Sequence, residues 1–199
     1  MAIRTIARLY DSYDDAVSAV RELETAGVPA DNISLVAHDL HDRSHTTERK
    51  GNESAPGAEI GAGAGAVAGG AAGVLAGLGM LAIPGIGPVV AAGWLVALAA
   101  GAAAGAAAGG LLGALVGAGI PREHAEVYAE GVRRGGVVVS VRAPDDLAMR
   151  VENILDRHGS VDVEARRRDY AASGWTSHDL NAPAYKREDV ERYRAGGRL

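Results

Sequence analysis

Residues 3–10, IRTIARLY, alternate in polarity and predict a strand. Ser12 reads as the cap of a following helix, with Asp14 and Asp15 in the first turn, where carboxylates suit the helix dipole. Ala16, Val17, Val20 and Leu23 recur at helical spacing, and Gly27 stops the helix. Residues 32–38, NISLVAH, read as a second strand with Ile33, Leu35 and Ala37 on one face. A polar stretch, residues 39–58, reads as a linker. From Ile60 to Pro121 the chain carries no charged residue. Beyond it, Arg122 to Arg134 predicts an amphipathic helix, and Val137, Val139 and Val141 a third strand. Asp145 and Asp146 open another helix, with Leu147, Val151, Ile154 and Leu155 on its buried face and Gly159 at its end. Val161, Val163 and Ala165 alternate with Asp162, Glu164 and Arg166 and read as a fourth strand.

The two charged halves repeat one order: strand, Asp-Asp at a helix start, amphipathic helix, Gly, strand. That order predicts an α+β, ferredoxin-like split βαβ sandwich, with both helices on one face of four antiparallel strands. The other face is left open and mixed, with Arg4, Arg8, Ser34, His38, Ser140, Arg142, Asp162 and Glu164 able to point to it. The expected layout is a first half at 1–38, a linker at 39–58, an inserted Gly/Ala-rich segment at 59–120, a second half at 121–165 and a tail at 166–199.

Inside the insertion, glycines fall every fourth residue in two ladders: Gly61, Gly65, Gly69, Gly73 and Gly77, then Gly101, Gly105, Gly109, Gly113 and Gly117. A glycine inside a helix costs about 1 kcal/mol relative to Ala, so ten need a compensating gain. Close backbone approach supplies one, which makes the ladders a small-xxx-small packing surface. Pro84, Gly85, Gly87 and Pro88 mark a turn between them. The expectation is a helical hairpin with arms at about 59–83 and 89–119. At 1.5 Å per residue the arms are about 37 and 46 Å long. Both exceed the ~30 Å bilayer core. Arg49, Lys50, Arg122, Arg133 and Arg134 at its flanks fit the positive-inside bias.

Composition sharpens this picture. Among 199 residues there are 28 Gly, no Phe and no Cys, so neither a disulfide frame nor thiolate chemistry is available. The net charge of −5 argues against nucleic acid as a partner. The opening MAIRTIARLYDSYDDA lacks an apolar signal core, so insertion from the cytoplasm is the expectation. The tail is locally basic, and Tyr170, Trp175, Tyr185 and Tyr193 are spaced as separate anchors, a candidate clasp between subunits.

Catalytic chemistry finds little footing. GAGAGAVAGG lacks the Lys-Ser/Thr and the preceding strand of a phosphate loop. His38, His41 and His45 with Asp39 and Asp42 fall on a strand end and linker and read as solvated rather than metal-binding. Asp14-Asp15 and Asp145-Asp146 are explained by capping. No nucleophile signature, metal or cofactor site is expected.

The opening YDSYDDAVSAVRELETAGVPADNISLVAHD, and the glycine block followed by GIPREHAEVYAEGVRRGGVVVSV, resemble the bacterial general-stress (heat-induced stress) protein family. Its Ile-Pro…Ala…Tyr…Gly…Gly run corresponds to Ile120, Pro121, Ala125, Tyr128, Gly131, Gly135 and Gly136, and the likeness covers about residues 3–142. The resemblance implies a stress-linked, non-enzymatic role and supplies no catalytic residues. Together these readings give a self-associating protein whose partners are itself and membrane lipid, at the cytoplasmic face of the inner membrane. Two alternatives stand beside it: a soluble homo-oligomer with hairpins buried on one another, and a regulatory small-ligand sensor with a pocket between paired sheets near Arg4, His38 and Arg142.

Overall fold

The computed structural model describes residues 2–38, 79–83, 86–95, 110–179, 181–182, 185 and 187–195. The linker, the ladder glycines from Gly61 to Gly109, Pro84, Gly85 and the histidines at 41 and 45 lie outside the described residues. The elements are β1 (Ile3–Tyr10), α1 (Tyr13–Thr25), β2 (Ile33–His38), β3 (Gly79–Ile83), β4 (Gly87–Gly93), α2 (Gly110–Gly117), α3 (Arg122–Arg133), β5 (Val137–Pro144), α4 (Asp145–Arg157), α5 (Val163–Ala172) and α6 (Arg187–Ala195). They form a mixed α/β fold around an antiparallel sheet in the order β1-β5-β2-β4-β3.

The first half forms as its pattern dictates. Ser12 accepts the Asp15 amide at 3.3 Å and starts α1, and Gly27, at φ +90°, ends it. β1, α1 and β2 leave a strand's width between β1 and β2, and β5 fills it, antiparallel to both. Strand parity then divides the core. Ile6, Tyr10, Ile33, Leu35, Val139 and Val141 face α1 and α4. Ala7, Leu9, Val36 and Val138 point the other way and pack with Leu111 and Leu115 of α2 and Tyr128 and Val132 of α3.

Over β1, β5 and β2 the sheet is therefore covered on both faces, against the expectation of an open mixed face. Ser34, His38 and Ser140 are buried there, and the Arg142 guanidinium lies 4.6 Å from the centre of the Trp94 ring. The cover is the amphipathic helix α3, whose small residues let it lie close. A Cβ on Gly131 would stand 2.6 Å from Leu9 Cδ2, so glycine here permits the contact between α3 and β1.

Two other expectations are corrected. Residues 79–83 and 87–93 are strands, a β-hairpin and not parts of two helical arms. An uncharged run of Gly, Ala and Val has no polar face, so periodicity cannot separate helix from strand in it. The free edge of β2 decides: β4 pairs with it from Ser34↔Gly93 to His38↔Val89. Two side chains fasten the join, with the Ser34 hydroxyl donating to Ala92 O at 2.6 Å and the Trp94 indole N–H to Asn32 O at 3.1 Å.

The expected fourth strand is helix α5. Asp162 is its cap, with Oδ1 accepting the amides of Glu164 and Ala165 at 2.9 Å each. Three alternating apolar residues are outweighed by that cap and by the helix formers Glu164, Ala165 and Arg166. One trace of strand pairing remains, the Val161 amide donating to Leu9 O at 2.8 Å on the outer edge of β1.

Candidate functional site

Two surfaces of the fold carry features beyond packing. The first is a buried ionic cluster on α3. Glu130 lies three and four residues before Arg133 and Arg134, on the helix face turned away from the sheet. Its side chain is 1% exposed and that of Arg134 is 5% exposed. Arg133 Nε donates to Oε2 at 2.9 Å and Arg134 Nε to Oε1 at 2.6 Å. His178, from the tail, brings Nδ1 to 3.5 Å from Oε2. Burial alone raises the Glu130 pKa, but His178, Arg133 and Arg134 outweigh it and hold the carboxyl at about 2.

Around this carboxylate the tail is laid down by aromatic and cationic contacts. The Arg134 guanidinium sits 4.1 Å from the Tyr170 ring centre, and the Arg133 guanidinium 4.3 Å from that of Tyr185. Trp175 meets Tyr170 edge-on, with centroids 5.6 Å apart. Burial pushes the Tyr170 hydroxyl up to about 12. Arg166 forms a bidentate pair with Asp11, at 2.8 and 2.7 Å, and ties α5 to the end of β1. Gly135, at φ +98°, makes the turn after α3 and seats Val190, since a Cβ there would stand 2.4 Å from Val190 Cγ1. Tyr170, Trp175 and Tyr185 thus anchor the tail on its own chain. Tyr193 belongs to α6.

The sequence pattern did not single out Glu130 or His178, and it read Arg133 and Arg134 only as basic flanks of the glycine-rich segment. Glu130 and its arginines have the spacing of an ordinary solvated i, i+3 and i, i+4 pairing. The return of the chain at Tyr170, His178 and Tyr185 covers them.

The second surface is the outer side of α2. Leu111, Leu112, Ala114 and Leu115 are buried, while Val116 is 38% exposed. A Cβ placed on Gly113 or Gly117 meets no heavy atom within 4 Å. These two ladder glycines therefore form a bare ridge among the described residues. At the hairpin, Gly87 pairs with Ile83 and Pro88 with Ala82.

Arg4, His38 and Arg142 do not gather. Arg4 shares the parity of Ile6 and Arg8 and pairs with Asp145 at 3.5 Å, whereas His38 and Arg142 belong to the opposite face. An open groove lies elsewhere, between α1 and α4, bordered by Glu22, Asp146, Met149, Asn153 and Arg157. Among the described residues no group of three metal-ligating side chains occurs, and no helix is long and apolar enough to cross a membrane.

Fold and surfaces together define an α/β domain that carries a β-hairpin within its sheet and a bare glycine ridge beside it. Residues 5–84 match the family model of the heat induced stress protein YflT domain. The resemblance to a bacterial stress protein family holds over that span, from β1 to the end of β3. No curated protein and no solved structure matches the chain.

Proposed function

We propose that this is a non-enzymatic, stress-related protein that works by associating with copies of itself through its glycine-bearing surface. The family match over residues 5–84 supports the stress role. The observation that carries the self-association is the ridge of α2. A helix that buries its leucines on α3 while presenting Gly113, Val116 and Gly117 outward offers a surface shaped for another backbone. The membrane-inserted hairpin has less support, because its expected arms include residues 79–83 and 89–93, which lie in strands.

The double variant Gly113→Leu, Gly117→Leu separates assembly from folding. Each change removes a helix glycine at a site with open space, so the fold itself gains up to about 1 kcal/mol per site. The expected result is a chain of undiminished thermal stability whose oligomer, sized by light scattering, falls apart or shrinks. An oligomer of unchanged size removes the ridge from the interface.

A further inference from the structure

The two edges of the sheet are finished in opposite ways. On β1 two of the outward carbonyls are already used. Leu9 O accepts from the Val161 amide at 2.8 Å, and Ala7 O accepts from the Tyr128 hydroxyl at 3.0 Å and from Arg8 Nη1 at 3.1 Å. Arg8 is itself fixed by Asp156 at 2.7 Å, and the exposed Arg4 adds a charge further along the strand. Charges and capped carbonyls are how natural sheets prevent edge pairing.

Among the described residues the β3 edge carries none of these devices. Its sequence, GMLAI, contains no charge and no proline, and lies within an uncharged run extending from Ile60 to Pro121. On one side it pairs with β4 from Gly79↔Ala91 to Ile83↔Gly87, and among the described residues no strand lies on the other side. A chain of net charge −5 meets a second copy most easily where neither brings a charge. Two identical strands satisfy each other's backbone groups when they run antiparallel about a two-fold axis, which also closes the assembly at a dimer.

We infer that β3 pairs antiparallel with β3 of a second copy, about an axis near Leu81, so that two five-stranded sheets become one continuous sheet. This rests on the self-association proposed above and adds a second junction to the one at α2. The bare ridge of α2 then joins such dimers into a larger assembly.

The absence of cysteine from the chain makes the test direct. Single cysteines are placed in turn at 79, 80, 81, 82 and 83, and in separate proteins at 113 and 117. Directly opposed residues of an antiparallel pair have Cα atoms about 4.5–5.5 Å apart, inside the range a disulfide bridges. Mild oxidation is expected to link Leu81→Cys into a covalent dimer several-fold more completely than Gly79→Cys or Ile83→Cys. Leu81→Lys, with an unchanged circular dichroism spectrum, is expected to sediment as a smaller species. A flat scan across 79–83 overturns the inference. If only the cysteines at 113 and 117 cross-link, self-association stands and the β3 junction falls. If no position cross-links and the unaltered chain sediments as a monomer, both fall together.

Discussion

Replacing Glu130 with Ala lowers the unfolding free energy by about 3–5 kcal/mol, because removing one member of a buried charge cluster leaves the others uncompensated. Arg133 and Arg134 then lose the carboxylate that both contact, and His178 of the tail loses its contact on α3. The size of the loss reflects two guanidinium groups deprived of this carboxylate more than any intrinsic worth of the pairs. Replacing Glu130, Arg133 and Arg134 together with apolar residues is therefore expected to cost less than Glu130→Ala alone. Urea unfolding measures both. A shift below about 1 kcal/mol for Glu130→Ala, the range of exposed pairs, contradicts the description of this cluster as buried.

The same carboxylate sets a pH dependence. Its pKa is about 2 in the folded chain against an ordinary value of 4.5, so the folded state binds this proton more weakly than the unfolded one. The stabilisation is complete above about pH 4.5 and is lost as pH falls toward 2. Glu130→Ala is expected to show a flatter stability curve across that interval than the unaltered protein.

Gly93→Ala is expected to cost about 3 kcal/mol and to loosen the hairpin from the sheet. Gly93 stands at φ +92°, where a side chain is strained, and its Cβ would lie 2.1 Å from Ile33 O and 2.7 Å from Ser34 Cα. Both obstacles are β2 backbone and cannot rotate aside. The strands must separate at that end, which endangers the bonds from Ser34 to Ala92 and from Trp94 to Asn32. Hydrogen exchange should show protection lost first across β2 and β4. Exchange and stability like those of the unaltered chain would mean that Gly93 does not approach β2 as closely as described.

Much of the domain was legible in the chain because its signals were redundant. In β1–α1–β2, strand alternation, the Ser12 cap, the carboxylates at 14 and 15 and Gly27 all agree, and β5 with α4 repeats the pattern. Where signals were single, they misled. Val161, Val163 and Ala165 alternate, yet Asp162 is a better helix cap than a strand residue. Met80 to Val90 is apolar on every side, so its structure depends on the free edge of β2, which no local window contains.

The open face failed for a related reason. Ser34, Ser140 and Arg142 look like solvent-facing positions until α3 is laid over the sheet, and its fit depends on Gly131 against Leu9. The Glu130 cluster was the least visible part, since its burial is completed by His178, forty-eight positions further along the chain. The glycine spacing at 113 and 117 was plain in the chain, and a Cβ at either position meets no heavy atom within 4 Å among the described residues.

Sedimentation velocity of the unaltered chain over a wide range of concentration tests the self-association most directly. The expected result is a sedimentation coefficient that rises with concentration from the monomer value to that of a dimer or larger species. A single monomeric boundary at every concentration would contradict it.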